Sequence, residues 1–189
     1  MQLLKERILA EGQVIGNDIL KVDRFLNHQI DVSFLNSIGQ EFFQRFKDER
    51  VTKILTVEAS GIAIACITAQ YFKVPVVFAK KGQASNIEQQ VYTSEVYSFT
   101  RNATYKIMVA QSYLDAGDRV LIIDDFLANG RAVLGLMDII RQAGANPVGV
   151  GIVIEKGFQE GGALVRKSGA NLQSLAIIET MKKGQIVFR

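Results

Sequence analysis

At 189 residues and 48% hydrophobic composition, the chain is long enough for one domain with a sizeable core. Its formal charge of +3 is scattered among acids and no basic run exceeds a pair, which argues against nucleic acid as a partner and leaves room for a local anion pocket. One cysteine, Cys66, excludes intrachain disulfides and CxxC metal frameworks and favours a reducing cytoplasm, while the longest apolar run, residues 61–69, falls short of the roughly 20 residues of a membrane span.

Met1 opens a segment in which Lys5, Glu6 and Arg7 interrupt any signal-peptide pattern, so the mature protein is expected to be the whole chain. Leu3, Leu4, Ile8 and Leu9 predict a short helix; Val32, Leu35, Ile38, Phe42 and Phe46 predict a longer one. The stretch between them, GNDILKVDRFLNHQ, reads as irregular and polar. From Lys53 a strand-then-helix rhythm sets in: KILTV, then GIAIACITAQYF with Cys66 expected in core packing, then PVVFAK. KGQASNIEQQVYTSEVYSFTRNATYKIMV departs from it, as a polar loop followed by a β-hairpin with Arg101-Asn102 at or near the turn. Tyr92, Tyr97, Phe99 and Tyr105 are expected to pack in or under that hairpin. The rhythm then resumes with VLIID and the helix RAVLGLMDIIRQAGA, then PVGVGIVIEK and a short helix over residues 161–167. One or two strands between Leu172 and Phe188, split at Lys183-Gly184, end the chain. Pro75 and Pro147 fit strand starts. The fold class that follows is α/β, a mainly parallel central sheet flanked by helices, in a single domain spanning residues 1–189.

The sharpest local signal is VLIIDDFLANGRA, residues 120–132. Four aliphatic residues read as a strand covered on both faces, which puts Asp124 and Asp125 at its carboxyl end, where open α/β sheets place ligands. The loop after them feeds a helix N-terminus. Backbone amides of Ala128, Asn129, Gly130, Arg131 and Ala132 would converge there with the positive end of the helix dipole, a cradle for a phosphate monoester. Two acids beside a phosphate need another partner, and vicinal ribose hydroxyls donate well to carboxylates. The pattern therefore selects a sugar phosphate or a nucleotide.

VLIIDDFLANGRA resembles the phosphoribosyl diphosphate signature of the type I phosphoribosyltransferases, with Asn129 where Thr is frequent and Arg131 where Gly or Lys is frequent. The N-terminal helical segment, GNDILKVDRFLNHQ, EASG after the first strand and EKGFQEGG extend the likeness over nearly the whole length, closest to the bacterial branch that uses xanthine. The resemblance implies transfer of a 5-phosphoribosyl group from phosphoribosyl diphosphate to xanthine, with Mg²⁺ held mainly by the substrate, in a cytoplasmic homodimer. It also implies a hood from about residues 1–36 plus 170–189, a core over 37–169 and a β-hairpin lid drawn from residues 81–109.

Further residues carry two readings each. Glu58, Ala59, Ser60 and Gly61 form either an ordinary capped βα turn or a second anion nest, which in the family holds pyrophosphate. Lys156 is either a snorkelling strand terminus or, by resemblance, a donor to the purine carbonyl. Leu20 and Asn27 are either core and cap or a hood over the base, Asn27 reading the second oxo group of xanthine. Lys80 and Lys81 are a solvated pair unless, by family likeness, Lys81 or its neighbour reaches pyrophosphate. His28, the sole histidine, cannot make a metal site or a triad alone and fits a structural or hood-surface role. A transferase for guanine, hypoxanthine or adenine, and a non-catalytic sensor of phosphoribosyl diphosphate, are the rival functions. A sensor of this kind is expected to carry a DNA-reading domain, for which the N-terminal segment is short and weakly basic.

Overall fold

The computed structural model describes residues 1–82, 90–98, 103–182 and 184–189. Helix α1 (Gln2–Glu11) buries Leu4 and Ile8, one turn apart, while Leu3 and Leu9 face outward, so the apolar stripe is narrower than spacing suggested. Helix α2 (Val32–Phe46) starts at Asp31, whose carboxylate accepts the Phe34 amide at 3.0 Å. Its buried stripe is Phe34, Leu35, Ile38, Phe42 and Phe46; Val32 lies in the first turn and is exposed.

The connection expected to be irregular is ordered. Strands β1 (Gln13–Ile15) and β2 (Ile19–Lys21) form an antiparallel hairpin that turns at Gly16, whose φ of 63° suits a residue without Cβ. A π-helical turn, Asp23–Asn27, follows and buries Phe25 and Leu26. Three-residue strands are too short to display alternation, which hid the hairpin from the sequence.

Beyond it the alternation holds: β3 (Lys53–Val57), α3 (Gly61–Phe72), β4 (Val76–Lys81), β5 (Val91–Ser98), β6 (Ala103–Ala110), β7 (Arg119–Leu127), α4 (Arg131–Gln142), β8 (Asn146–Lys156), α5 (Gly161–Lys167), β9 (Leu172–Lys182) and β10 (Gln185–Phe188). They make an eight-stranded sheet in the order β10-β9-β8-β7-β3-β4-β6-β5. Strands β4, β3, β7, β8 and β9 are parallel, with antiparallel β10 on one edge and the β5–β6 hairpin on the other. The hairpin turn at Arg101-Asn102, Phe99, residues 83–89 of the expected lid, and Lys183 lie outside the described residues. Tyr92 and Tyr105 pack against the core as expected, whereas Tyr97 is 38% exposed.

Two cores sandwich the sheet. Leu121 and Ile123 of β7 face the layer of α1, α2 and α3; Val120 and Ile122 face that of α4 and α5. Burial on both sides explains the unbroken apolar runs in β7 and β8. Two glycines of β8 are seats for rings: a methyl on Gly149 would overlap Phe46, and one on Gly151 would come within 2.8 Å of Phe42. Cys66 is exposed, contrary to expectation. α3 is apolar nearly all round, so composition could not tell its inner face, Ile64, Ala65, Thr68 and Ala69, from its outer one.

At the amino ends of the strands Asp118 ties the layers together. It accepts Lys53 Nζ at 2.6 Å, Thr52 Oγ1 at 3.1 Å and the Asp115 amide at 2.8 Å. All the phosphate-type signals lie at the other end of the sheet.

Candidate active site

Strand β7 runs through both acids to Leu127, beyond the end expected from its aliphatic run, because Phe126 and Leu127 continue the pairing with Ile154 and Glu155 of β8. Asp124 and Asp125 are buried. The Asp125 amide donates to Asp124 Oδ1 at 3.0 Å, and the Phe126 amide donates to Asp125 Oδ1 at 2.9 Å. Burial, reinforced by repulsion from Asp125, pushes Asp124 well above the usual aspartate range, and the positive charge of Lys81 opposes it.

The segment 58–61 closes over Asp124. A methyl on Gly61 would overlap Thr56 Oγ1 and sit 3.0 Å from Asp124 Oδ1, so only glycine lets the start of α3 come this close. Ser60 occupies the helix cap position but makes no side-chain capping bond. The peptide between Glu58 and Ala59 is cis. Glu58 Oε1 accepts the Lys81 amide at 2.6 Å, joining this segment to the end of β4. Both Lys80 and Lys81 belong to β4, paired with Met108 and Ile107 of β6, and the Lys81 ammonium lies 5.7 Å from the centre of the Tyr105 ring.

Ala128, Asn129 and Gly130 connect β7 to α4. Gly130 takes a φ of 78° and no side chain caps the helix, so the first-turn amides from Arg131 and Ala132 onward have no intrahelical acceptor. Residues 126–133 line a cavity of about 170 Å³ together with Val96, Tyr97 and Tyr105 of the hairpin. Arg131 reaches Glu160 only at 3.9 Å, with both side chains about half exposed, a weak ion pair.

Lys156, at the end of β8, is half-buried; its Nζ donates to the Asp18 carbonyl at 2.6 Å and lies 5.8 Å from the centre of the Phe126 ring. Burial lowers its pKa, against the opposing pull of Asp18. It is therefore held by the β1–β2 hairpin rather than free at a strand terminus. Asn27 Nδ2 donates to Asp125 Oδ2 at 3.3 Å, and its Oδ1 is buried without a hydrogen-bond partner. Leu20 is buried in the core layer of α1 and α2, the bland placement, while His28 is exposed beside Asn27.

Phe126 and Gly161 went unweighed in the sequence. Phe126 joins the acids to the cavity and sits against Lys156; a lone aromatic between two acids and a glycine loop was its only signal. The Gly161 amide donates to the Ala128 carbonyl at 3.0 Å, and a methyl there would lie 2.5 Å from the Gly130 nitrogen. Among the described residues no group of three or more His, Cys, Asp and Glu side chains is arranged to hold a metal.

Known proteins resemble this chain in sequence and in fold. Residues 22–168 match the phosphoribosyl transferase domain family. The chain is 60% identical to a xanthine phosphoribosyltransferase of Clostridium novyi over the whole of both chains. It is also 60% identical to one of Clostridioides difficile, again over 100% of each. Among solved structures, adenine phosphoribosyl transferase of Trypanosoma brucei in complex with AMP, pyrophosphate and ribose-5-phosphate superposes with a TM-score of 0.77 at 21% identity, over 92% of this chain and 78% of that one. The Giardia lamblia enzyme complexed with 9-deazaadenine gives 0.77 at 21% identity, over 92% and 96%. These structures share the fold; the matched domain and the full-length sequence identity establish that the chain belongs to the phosphoribosyltransferase family.

Proposed function

We infer that the protein works in purine salvage, transferring the 5-phosphoribosyl group of phosphoribosyl diphosphate to xanthine to give xanthosine 5′-monophosphate and pyrophosphate. Full-length identity of 60% to xanthine phosphoribosyltransferases supports the acceptor. The observation that carries the chemistry is the convergence of a buried acid pair, a glycine-led helix start and Lys156 at one end of the sheet.

In this reading a purine ring nitrogen attacks the anomeric carbon as pyrophosphate leaves, through a transition state with oxocarbenium character. Catalysis is then chiefly positioning and charge stabilisation. Asp124 and Asp125 accept the ribose hydroxyls and favour the positive charge developing on the sugar. Hydroxyl donors also offset the burial, and with it the repulsion from Asp125, that raises Asp124 in the free protein. The amides of Ala128, Asn129, Gly130, Arg131 and Ala132 hold the 5-phosphate. The segment Glu58, Ala59, Ser60 and Gly61 receives the pyrophosphate, with Lys81 as counter-charge. Lys156 donates to a purine carbonyl. The Asn27 amide meets the second oxo group, and its orphaned Oδ1 suits the ring N–H beside that group. Leu20 backs the hood that covers the base.

Two adjacent carboxylates, with no third His, Cys, Asp or Glu arranged beside them among the described residues, suit Mg²⁺ held mainly by the diphosphate and sugar rather than a protein cage. When bound, the ion neutralises charge on the leaving group. The hood is assembled from both termini: Lys5 Nζ donates to the Arg189 carbonyl at 2.7 Å, and the N-terminal amine donates to Leu175. A cytoplasmic homodimer completes the proposal; no helix among the described residues is long and apolar enough to cross a membrane.

The test is to incubate purified protein with phosphoribosyl diphosphate, Mg²⁺ and each base separately and follow nucleotide formation. Product from xanthine is expected. Product from guanine but not xanthine overturns the acceptor assignment, and no product with any base overturns the transferase reading in favour of a sensor.

A further inference from the structure

Glu155 is a carboxylate with almost no exposure, on the strand beside the loop that ends β7, yet it has no part in the chemistry above. Arg166 of α5 grips it with both amino groups, Nη1 to Oε1 and Nη2 to Oε2, each at 2.7 Å. Ser174 Oγ from β9 donates to Oε2 at 2.5 Å. Burial alone would raise Glu155, but the hydrogen bonds from Arg166 and Ser174 outweigh it and hold the group ionised below the usual glutamate range.

What rests on this pair is the double glycine of EKGFQEGG. A methyl on Gly162 would overlap Glu155 Oε1 and lie 2.6 Å from Arg166 Nη1, so the backbone of Gly162 sits directly on the ion pair. The preceding residue, Gly161, sits directly on the loop: its amide donates to the Ala128 carbonyl, and its Cα is 3.1 Å from where a Gly130 Cβ would stand. Glu155 itself pairs in register with Leu127, the residue before Ala128. Pair, glycines and loop thus stack in direct contact, through glycine backbone alone.

We propose that Glu155 and Arg166 are positioning residues for the 5-phosphate loop, setting the height of Gly161 and through it the aim of the loop amides. This rests on the transferase reading of that loop. A bidentate grip on a buried carboxylate fixes geometry far better than a single contact, and donors aimed at a phosphate lose effect with small displacements.

Glu155→Gln keeps the side chain's size and removes the charge that holds the guanidinium; Arg166 is 42% exposed, so its charge stays solvated. Calorimetric titration with ribose 5-phosphate, together with steady-state kinetics, reads the effect. Ribose 5-phosphate affinity is expected to weaken about tenfold and KM for phosphoribosyl diphosphate to rise to match, with KM for xanthine within about twofold of wild type. Arg166→Lys keeps the charge but cannot hold both oxygens, and is expected to lose roughly threefold on the same two measurements; it stands in if Glu155→Gln does not fold. Variants that melt earlier while both substrates bind as in wild type, or in which both KM values move together, overturn the inference and leave the pair a fold staple. Wild-type protein that takes up no ribose 5-phosphate overturns the transferase reading and this inference with it, whereas wild-type uptake with unaltered variants overturns this inference alone.

Discussion

Asp124 pays in stability for its position. A carboxyl whose folded pKa is raised is disfavoured in its charged form, so folding is penalised once pH rises above the ordinary aspartate range, and the penalty is complete above the raised value. Asp124→Asn removes that penalty. Its melting temperature is expected to exceed wild type by a few degrees at neutral pH, with the gain vanishing below about pH 4, while kcat falls about a hundredfold or more. Melting curves across pH beside a transfer assay with xanthine and phosphoribosyl diphosphate check both halves; equal melting at neutral pH would contradict the assignment. Asn27 belongs at the same scale. Asn27→Ala is expected to raise KM for xanthine about tenfold and for hypoxanthine within about twofold, because only xanthine carries the oxo group the amide meets. An equal loss on both bases would remove its discriminating role. The acids and the loop residues were legible in the sequence because they are consecutive. The meeting of Asn27 with Asp125, 98 residues apart in the chain, was not.

At the level of elements, periodicity located α2, α3, α4 and α5 and the strands from β3 onward because each is long enough to repeat its pattern. It failed on the short β1–β2 hairpin, and on faces: Val32, Leu3, Leu9 and Cys66 are all outside where pattern or composition placed them inside. The glycines of β8 show why faces need a partner. Gly149 and Gly151 carry no side chain to show a face, yet a methyl on either would crowd Phe46 or Phe42 of α2. Gly149→Ala is expected to cost about 1–3 kcal/mol by overpacking. In a Phe46→Leu background the added cost should shrink by at least half, which chemical denaturation of the four-protein cycle measures; additive losses would mean the ring is not what the methyl meets.

For the whole molecule, two carboxylates at opposite ends of the sheet, Asp118 and Asp124, respond oppositely to pH. At the amino ends, burial alone would raise Asp118, but hydrogen bonds from Lys53, Asp115 and Thr52 and the Lys53 charge hold it below the usual range. The stability it adds is therefore present above the ordinary aspartate value and lost as pH falls through the lower folded value. At the carboxyl ends Asp124 has the reverse sign. Lys53→Met is expected to lower neutral stability by about 2 kcal/mol, with the deficit closing as pH drops below about 4, since both side chains of the pair are 13% exposed and hydrogen-bonded. Denaturant melts at several pH values decide it; a deficit that persists in acid would assign the loss to packing.

The sequence by itself determined the α/β alternation, the strand-loop-helix that carries Asp124 to Ala132, and the family, because these depend on residues near one another in the chain. Tertiary structure decided which faces are buried, that Gly161 props the loop from Ala128 to Gly130, that Lys156 is held by the N-terminal hairpin, and that Asn27 reaches the acids. Those contacts join segments separated by up to 138 residues, and no local pattern encodes which distant backbone will arrive against a given glycine or carboxylate.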